Sequence, residues 1–393
     1  MKKPKIRFKG FTETWEQRKL ETYLQEYNEV TSTNNQYPAL TSSRKGLFLQ
    51  TDYFSGNQVA SENNIGYNVV PYGYFTYRHM SDDEVFHFNL NDIVDKGIVS
   101  TLYPVFTTSK ELDSKYLQYQ LNYGEEFSRF ARLQKQGGSR TYMYLNKLRK
   151  LSLTMPNTLD EQKEISAILS TLDHFITLHQ RKCENLKKLK KFMLQKLFPQ
   201  NGENVPKVRF LNFTDTWEQR KFKNIVERLS ESYMSDDKNP SVEYEDIISE
   251  LGTINKDIFN KRIRKNGIKF SNNEILYGKL RPYLHNWLKP DFNGIAVGDW
   301  WVLKPINCDR EFIFRLIQTS TFDNIANQSN GTKMPRADWN LIANSDFYLP
   351  ISIYEQKQIG SLFSKLDHLI TLHQSKCDKL KEVKKYMLQN MFI

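Results

Sequence analysis

Apolar side chains recur at alternating steps of three and four residues along two stretches of this chain, residues 161–198 and 355–392. These steps are typical of a coiled coil and predict two long helices, each with one apolar stripe. A helix of about 38 residues is roughly 57 Å long and cannot bury such a stripe alone, so we expect the two helices to pair. The predicted stripe residues are Ile165, Ile168, Leu172, Phe175, His179, Lys182, Leu186, Leu189 and Met193, with the copies Ile359, Leu362, Leu366, Leu369, His373, Lys376, Leu380, Val383 and Met387.

The two stretches are copies of one another. They align without a gap at an offset of 194 residues, the difference between Glu161 and Glu355. A shorter repeat, FTETWEQRKL and FTDTWEQRKF, has an offset of 202 residues, the difference between Trp15 and Trp217. A period this long indicates duplication of a domain together with its helix, because solenoid repeats have periods of about 20 to 50 residues. We expect each tryptophan to pack where its domain begins beside a helix.

Between these repeats the two halves are unalike. Short aromatic and β-branched runs, punctuated by Gly, Pro and Asn, predict strands and turns in both. The sequence therefore predicts an α+β fold with two divergent globular domains and two long helices that pair as an antiparallel coiled coil with pseudo-two-fold symmetry. The predicted boundaries are residues 1–157 for domain 1, 158–198 for helix 1, 199–351 for domain 2 and 352–393 for helix 2.

The middle of each predicted stripe is a histidine, His179 in the first helix and His373 in the second. In an antiparallel pair these residues face each other, and a polar residue at such a position can fix the helix register. Cys183 and Cys377 follow four residues later, so side chains of zinc-binding type come near the middle of the pair. The favoured interpretation is a helix interface without a metal, and a zinc site is the alternative.

The charge balance suggests a partner. With 56 Lys and Arg against 45 Asp and Glu, the chain has a formal charge of +11. Its pI near 9.2 suits an anionic partner such as nucleic acid or an acidic membrane surface. No apolar run reaches the roughly 18 residues that cross a membrane, and no apolar signal sequence follows the first lysines. We therefore expect a cytoplasmic protein with no membrane partner.

Motifs that carry catalysis are missing from the sequence. It has no Pro-Pro pair, which adenine methyltransferases use between an Asx residue and an aromatic one. It also has no G-x-G-x-x-G or G-x-x-x-x-G-K-[ST] phosphate loop and no H-E-x-x-H zinc motif. The sequence favours a chain that is not itself an enzyme.

A tandem arrangement of domain, helix, domain and helix is carried by four segments. They are Trp15–Lys19, Trp217–Lys221, MPNTLDEQKEISAILSTLD (155–173) and LPISIYEQKQIGSLFSKLD (349–367). In this arrangement the chain resembles the specificity subunit of type I restriction-modification enzymes over essentially its whole length. The resemblance implies that each domain is a target-recognition domain, which reads one half of a split, asymmetric site in double-stranded DNA. It also implies that the paired helices set the spacing of the halves and dock other subunits.

The same resemblance implies two methyltransferase (modification) subunits and two restriction or translocase subunits as partners. S-adenosylmethionine, ATP and Mg are then expected on those partners, and no cofactor on this chain. Apolar residues outside the predicted stripes favour such an assembly, because they remain available to a partner: Leu178, Leu194, Phe198, Leu372, Leu388 and Phe392. Two alternatives stay open. One is a stand-alone bipartite DNA-binding protein, a repressor or architectural factor, and the other is a structural protein whose basic domains bind another protein.

Readout of DNA needs polar side chains on exposed loops, with basic residues nearby for phosphates. Domain 1 offers TSSRKG, TYRH and KQGGSRTY, and domain 2 offers GKLRPY and SNGTKMPR. Gly137 and Gly331 lie at the offset of 194 residues, so the last loop of each domain occupies an equivalent place and is predicted to position phosphates. The predicted DNA-contacting residues are Ser42, Ser43, Arg44, Lys45, Tyr77, Arg78, His79, Lys135, Gln136, Ser139, Arg140, Lys279, Arg281, Tyr283, Asn330, Thr332, Lys333 and Arg336.

Overall fold

A computed structural model describes residues 4–57, 60–135, 139–200, 203–261, 263–328 and 334–392. The chain divides into two compact units. Unit 1 comprises residues 1–178 and 377–393, and unit 2 comprises residues 179–376. Each of the two long helices contributes residues to both units. The domain boundaries proposed from the sequence stay a prediction.

Unit 1 is built from short antiparallel strands with helices packed against them. Its strands are β1 (Glu16–Lys19), β2 (Leu24–Glu26), β3 (Leu40–Ser43), β4 (Gly46–Leu49), β5 (Asn68–Pro71), β6 (Phe75–Thr76), β7 (Met80–Ser81), β8 (Asn89–Leu90), β9 (Lys96–Val99), β10 (Val105–Thr108), β11 (Thr141–Tyr142) and β12 (Ser152–Met155). Its helices are α1 (Gln50–Tyr53), α2 (Ser114–Tyr123), α3 (Glu125–Leu133) and α4 (Leu145–Leu148). A four-stranded sheet has the order β2-β10-β6-β8, and the other strands pair as β1–β12, β3–β4, β5–β9 and β7–β11. Stacked rings of Phe75 and Phe106, 4.7 Å apart, lie in its core.

The long helix α5 (Leu159–Lys196) leads into unit 2, which has a comparable plan. Its strands are β13 (Glu218–Lys221), β14 (Val226–Leu229), β15 (Ser232–Met234), β16 (Ser241–Val242), β17 (Ile247–Ile248), β18 (Thr253–Ile254), β19 (Asn266–Phe270), β20 (Ile275–Gly278), β21 (Trp287–Leu288), β22 (Gly294–Ala296), β23 (Trp300–Pro305) and β24 (Asp346–Leu349). Its helices are α6 (Phe222–Ile225), α7 (Arg310–Leu316), α8 (Ser320–Ala326), α9 (Trp339–Asn344) and the second long helix α10 (Ile353–Met391). Two four-stranded sheets have the orders β14-β23-β20-β21 and β15-β19-β22-β16, beside the pairs β13–β24 and β17–β18.

A Glu-Gln pair near the start of each long helix is present in both copies of the repeat. The contacts of its two side chains explain why both copies have it. The buried Glu161 carboxylate accepts hydrogen bonds from Arg7 Nε at 2.6 Å, Arg7 Nη2 at 2.8 Å and Trp15 Nε1 at 3.1 Å. This ion pair raises the pKa of the Arg7 guanidinium. In unit 2, Glu355 accepts the same three bonds from Arg209 and Trp217.

The glutamine of the pair joins a helix to the end of a strand. Gln162 Oε1 accepts the Asp113 backbone N–H at 2.9 Å, and its Nε2 donates to the Pro156 carbonyl at 3.2 Å. Asp113 is also the N-cap of α2, since its side chain accepts the Tyr116 N–H. Gln356, Asp309 and Pro350 repeat this arrangement at the start of α7.

The position of the N-terminal repeat beside a helix end is confirmed in each unit. The Ile6 N–H donates to the Asn390 carbonyl of α10 at 2.9 Å, and the Val208 N–H donates to the Lys196 carbonyl of α5 at 2.9 Å. The following strands β1 and β13 pair antiparallel with β12 and β24. Each tryptophan therefore packs at the junction of its domain with a helix, as expected.

The two divergent α+β domains and the two long helices are confirmed, and the helices run antiparallel. In unit 2, His179 lies beside His373 with Nδ1 atoms 2.8 Å apart, and Lys190 Nζ lies 2.7 Å from Asp367. In unit 1, the equivalent lysine of α10, Lys384, lies 2.6 Å from Asp173. One histidine ring must be neutral to accept the N–H of the other. The pKa of His373 is lowered, mainly by burial and secondly by the charge of the nearby His179. A role of this pair in setting the helix register stays a prediction.

At every second position the predicted stripe lies one residue before the residue that faces the other elements, although the predicted Ile168 and Leu362 are half-buried against the cores. The residues that face the other elements are Ile165, Leu169, Leu172, Ile176, His179, Cys183, Leu186, Lys190 and Met193, with Ile359, Phe363, Leu366, Ile370, His373, Cys377, Leu380, Lys384 and Met387 in α10. The predicted Phe175, Lys182 and Leu189 are exposed instead. Both sets have steps of three and four, and adjacent apolar pairs such as Ile168 and Leu169 make the two frames compete.

Two of the apolar residues assigned to a partner surface belong to the cores. Phe198 follows α5 and packs within 6.3 Å of the Trp217 ring in unit 2. Phe392 follows α10 and lies 5.9 Å from the Tyr116 ring in unit 1. Leu194 and Leu388 are half-buried against the same cores. Leu178 and Leu372 remain exposed.

Candidate nucleic-acid interface

The three loops predicted in domain 1 lie together in unit 1. The TYRH segment begins at the last residue of β6 and leads into β7, which pairs with β11, the last two residues of the KQGGSRTY segment. The Met143 N–H donates to the His79 carbonyl at 2.7 Å and extends this pairing. The TSSRKG turn joins β3 to β4, and Arg44 at its tip forms an ion pair with Asp83, which follows β7. We call the resulting group of exposed residues surface 1: Arg44, Lys45, Arg78, Lys135, Ser139 and Arg140.

Three basic residues of surface 1 pair with three consecutive acidic residues. Besides the pair of Arg44 and Asp83, Lys135 Nζ lies 2.5 Å from Glu84. Arg140 Nε donates to Asp82 at 2.9 Å. The bonds that Arg44 and then Ser81 donate to Asp83 hold the pKa of this carboxyl well below its usual range. One acidic turn thus pairs with three of the five basic residues of surface 1.

Four residues predicted to contact DNA also form contacts within the fold. Tyr77 is fully buried and donates from its hydroxyl to the Met143 carbonyl at 2.9 Å. The buried His79 ring bonds the Leu102 carbonyl through Nδ1 and stacks on Tyr144.

The two serines of the TSSRKG loop shape the hairpin. Ser42 is buried and accepts a bond from Asn89 at 2.8 Å. Ser43 Oγ bonds the Gly46 carbonyl and the Lys45 N–H within the turn. Tyr77, His79 and Ser42 are buried and Ser43 is half-buried, so these four residues shape the fold of the loops, and a contact of any of them with DNA stays a prediction.

Unit 2 brings its two predicted loops together at the equivalent place. Leu280 of the GKLRPY loop pairs with Arg336 of the SNGTKMPR loop, and the Arg281 N–H donates to the Pro335 carbonyl at 2.7 Å. Arg336 lies 194 residues after Tyr142 of β11, so the two pairings correspond in the repeat. We call the group Lys279, Arg281, Tyr283 and Arg336 surface 2, in which Tyr283 and Arg336 are exposed and the other two residues are half-buried.

A single carboxylate neutralises two basic residues of surface 2. Asp299 accepts Arg336 Nε at 3.2 Å and Nη2 at 3.1 Å, and Lys279 Nζ lies 3.6 Å away. The Arg336 bond is the main cause that lowers the pKa of Asp299. Asp299 precedes β23, whereas Asp82 to Glu84 follow β7. The two units therefore reach the same charge pairing with residues from unrelated positions.

Arg281 differs from its neighbours in backbone and in hydrogen bonding. Its φ of 49° and ψ of 64° are left-handed, a strained conformation for a residue with a Cβ, and Pro282 follows directly. Its Nε is buried and has no hydrogen-bond partner among the residues that the structure describes. Strained, unpaired polar groups concentrate at functional sites. Arg281 is therefore the cation of surface 2 that has no acidic partner among the described residues, whereas Lys279 and Arg336 pair with Asp299.

Four predicted residues, Gln136, Asn330, Thr332 and Lys333, lie outside the described residues, as do the two glycines of the equivalent loops. The acidic partners Asp82, Asp83, Glu84 and Asp299 were missed from the sequence. The run SDDE directly after TYRHM was a visible signal for the first three. Asp299 gave no such signal, because its pairing depends on the fold.

The zinc alternative gains no support from the geometry. The Cys183 thiol lies 3.9 Å from the Ile370 carbonyl and 3.7 Å from Gln374 Oε1. In the described part of the chain, no group of three or more His, Cys, Asp or Glu side chains is placed to hold a metal ion. Of the helices described, none combines the length and the apolar run needed to cross a membrane.

Comparison with known proteins gives three consistent similarities. Residues 86–188 and 214–382, more than half of the chain, match the family described as type I restriction modification DNA specificity domain. The specificity subunit of the type I restriction enzyme MjaVIII from Methanocaldococcus jannaschii is 25% identical over 315 residues, which cover 75% of this chain and 73% of that protein. The crystal structure of a type I restriction-modification S subunit from M. genitalium covers 100% of this chain and 99% of its own, with a TM-score of 0.66 and 14% identity. The last similarity concerns the fold.

Proposed function

This chain belongs to the type I restriction modification DNA specificity domain family, and we propose that it reads a split, asymmetric site in double-stranded DNA with one half per unit. One observation carries the proposal. In each unit, loops that are far apart in sequence meet at an equivalent place and present basic side chains, although the residues of surface 1 and surface 2 differ. Equivalent places that carry different side chains fit two domains that recognise different base sequences. The DNA site is then not a palindrome.

The exposure and the backbone geometry of the basic residues suggest which of them contact phosphates and which contacts a base. Arg44, Lys135 and Arg140 are exposed on flexible stems at loop ends, which suits contacts with phosphates. Arg281 has a fixed backbone and no acidic partner among the described residues, and we assign to its two terminal nitrogens a bidentate bond to the O6 and N7 atoms of guanine in the major groove. Tyr283 is exposed next to it and offers an aromatic face.

The long helices support a role in assembly with other subunits. Large apolar side chains are exposed at matching positions, which are Phe175, Leu178, Leu189 and Phe192 in α5 and Leu369, Leu372, Val383 and Tyr386 in α10. Repeated apolar positions of this kind fit two copies of one partner. We propose that two methyltransferase subunits bind there, and that two restriction or translocase subunits complete the complex. In this proposal S-adenosylmethionine, ATP and Mg are bound by the partners, and this chain supplies recognition without catalysis.

Co-expression with a methyltransferase subunit of a type I restriction-modification system tests this role. In a host without DNA methylation, N6-methyladenine is expected only when both chains are present. Each chain expressed alone is the control. A stable complex of this chain with DNA, without any methylation in the co-expressing cells, would instead favour a stand-alone bipartite DNA-binding protein.

Replacing Arg281 by alanine is expected to weaken recognition of one half-site by about 10- to 100-fold, since a bidentate arginine–guanine contact contributes about 1 to 3 kcal/mol. The measurement is competition binding with duplexes in which either half-site is altered. The variant should no longer discriminate against changes in the half read by unit 2 and should still discriminate in the other half. Lys304→Ala is the matched control, because Lys304 is exposed in unit 2 at the far end of β23 from Asp299. Equal discrimination in Arg281→Ala and Lys304→Ala would exclude a reading role for Arg281.

A further inference from the structure

The acidic residues of the two surfaces form ion pairs with the basic side chains that would bind DNA phosphates. In surface 1, each of the three consecutive acidic residues pairs with a basic residue from a different segment, namely Asp83 with Arg44, Glu84 with Lys135 and Asp82 with Arg140. These three basic side chains are exposed and suit contacts with phosphate. A carboxylate at hydrogen-bond distance from a guanidinium or ammonium group takes the place of a phosphate oxygen.

The acidic turn of unit 1 is held in place before any ligand binds. Ser81 Oγ donates to Asp83 Oδ1 at 2.8 Å, and the Val85 N–H donates to the same oxygen at 3.3 Å. Glu84 has a φ of 65°, a left-handed conformation that side chains rarely adopt. The turn is therefore built to present three carboxylates in a row, and these are not counter-ions recruited at random from a charged surface.

Unit 2 supplies an independent case of the same arrangement. Asp299 holds Arg336 through two bonds and Lys279 through a third contact. The backbone of Asp299 is fixed as well, because its carbonyl accepts the Tyr244 hydroxyl. Since the two domains have diverged in sequence and the carboxylates come from different places in the fold, a shared structural ancestor does not explain the pairing.

Stability of the free chain is a weak reason for these pairs. Exposed ion pairs contribute only about 0 to 1 kcal/mol each, and the side chains of Arg44, Asp83, Arg140 and Asp82 are all at least half exposed to solvent. Carboxylates on a DNA-facing surface also oppose DNA binding, because phosphates carry the same charge. A cost of this kind is informative when it affects one class of DNA more than another.

We propose that Asp82, Asp83, Glu84 and Asp299 act as internal counter-ions, which DNA phosphates must displace from the basic residues of surfaces 1 and 2. Random DNA offers only phosphate contacts and gains little from this exchange, whereas a cognate site adds base contacts that offset its cost. The four acidic residues thereby lower the affinity for random DNA, which has no base contacts to offset the cost. This inference rests on the proposed DNA-reading function of the two surfaces.

The test compares two triple variants of the full chain in complex with its methyltransferase subunit. Asp82→Asn/Asp83→Asn/Glu84→Gln removes the internal counter-ions, and Glu111→Gln/Asp160→Asn/Glu164→Gln removes the same charge from exposed positions elsewhere in unit 1. The probe is a labelled duplex of random sequence, titrated at several salt concentrations. The first variant is expected to bind it about tenfold more tightly at low salt. The slope of log affinity against log salt should steepen by roughly 2 to 3, at about 0.9 for each phosphate gained. The second variant should change the affinity less than about twofold.

Three results would overturn the inference. Equal affinities of both variants for random DNA would show that the pairs do not compete with phosphate. A lower melting temperature of the first variant, without a gain in affinity, would make the pairs structural. A changed methylation motif would make the acidic residues base readers, since Asp and Glu accept hydrogen bonds from cytosine N4. Failure of the proposed function is distinguishable, because the unaltered complex would then produce no sequence-specific methylation.

Discussion

Replacing Glu355 by alanine is expected to lower the free energy of unfolding of unit 2 by about 3 to 5 kcal/mol. The Glu355 side chain is 1% exposed and neutralises Arg209, which is itself 17% exposed. Removal leaves a largely buried guanidinium without its counter-charge and the Trp217 indole N–H without its acceptor. Urea unfolding followed by tryptophan fluorescence measures the change, because the tryptophans of unit 2 are Trp217, Trp287, Trp300, Trp301 and Trp339, against Trp15 in unit 1.

The matched control for this variant is Glu218→Ala. Glu218 lies on β13 and pairs with Arg220 at the exposed surface, so its loss should change the unfolding free energy by less than about 0.5 kcal/mol. If Glu355→Ala and Glu218→Ala unfold at the same urea concentration, the buried junction is not what holds unit 2 to its helix.

The second large effect on the free energy of unfolding is expected for Asp367, which occupies the same position of the repeat as Asp173. Asp367 accepts Arg315 Nη1 at 2.6 Å and Lys190 Nζ at 2.7 Å, and the Arg315 side chain is 2% exposed. Burial lowers the pKa of both Arg315 and Lys190, and the Asp367 charge opposes that shift. Asp367→Ala leaves Arg315 with its weaker contact to Glu311 at 3.3 Å and removes the carboxylate that Lys190 pairs with, so we expect a loss of about 3 to 5 kcal/mol.

Asp173 provides the comparison, since it lies 194 residues before Asp367 in the equivalent place of unit 1. Its side chain is 42% exposed and pairs with Lys384 and with the Tyr119 hydroxyl. Asp173→Ala should therefore cost only about 1 kcal/mol. Circular dichroism during urea unfolding of both variants measures the difference. Equal losses in the two units would contradict the assignment of the large cost to the buried Arg315.

The sequence was sufficient for features that repeat or that are periodic. The duplication located both long helices, and the shared decapeptide located the junctions at Trp15 and Trp217. The choice of helix seam failed because Ile168 with Leu169, and Phe175 with Ile176, supply apolar residues to both frames. The choice between Lys182 and Cys183 could have decided between the two frames, since a cysteine is buried far more often than a lysine.

The candidate site was predictable in outline and not in detail. Loop composition identified the segments that meet in each unit, because basic and small polar residues cluster in them. Burial of Tyr77 and His79 depends on the side chain directions in the segment between β6 and β7, and no local sequence pattern indicates them. The pairing of Asp299 with Arg336 joins residues 37 positions apart, and only the fold brings them together.

Base-resolved mapping of N6-methyladenine, made with this chain and its methyltransferase subunit, tests the central claim most directly. The account predicts a split motif with two unlike halves and an unread spacer, with one methylated adenine on each strand. It further predicts that Arg281→Ala relaxes one half and leaves the other unchanged. A continuous or palindromic motif, or a variant that relaxes both halves alike, would contradict the claim that each unit reads its own half.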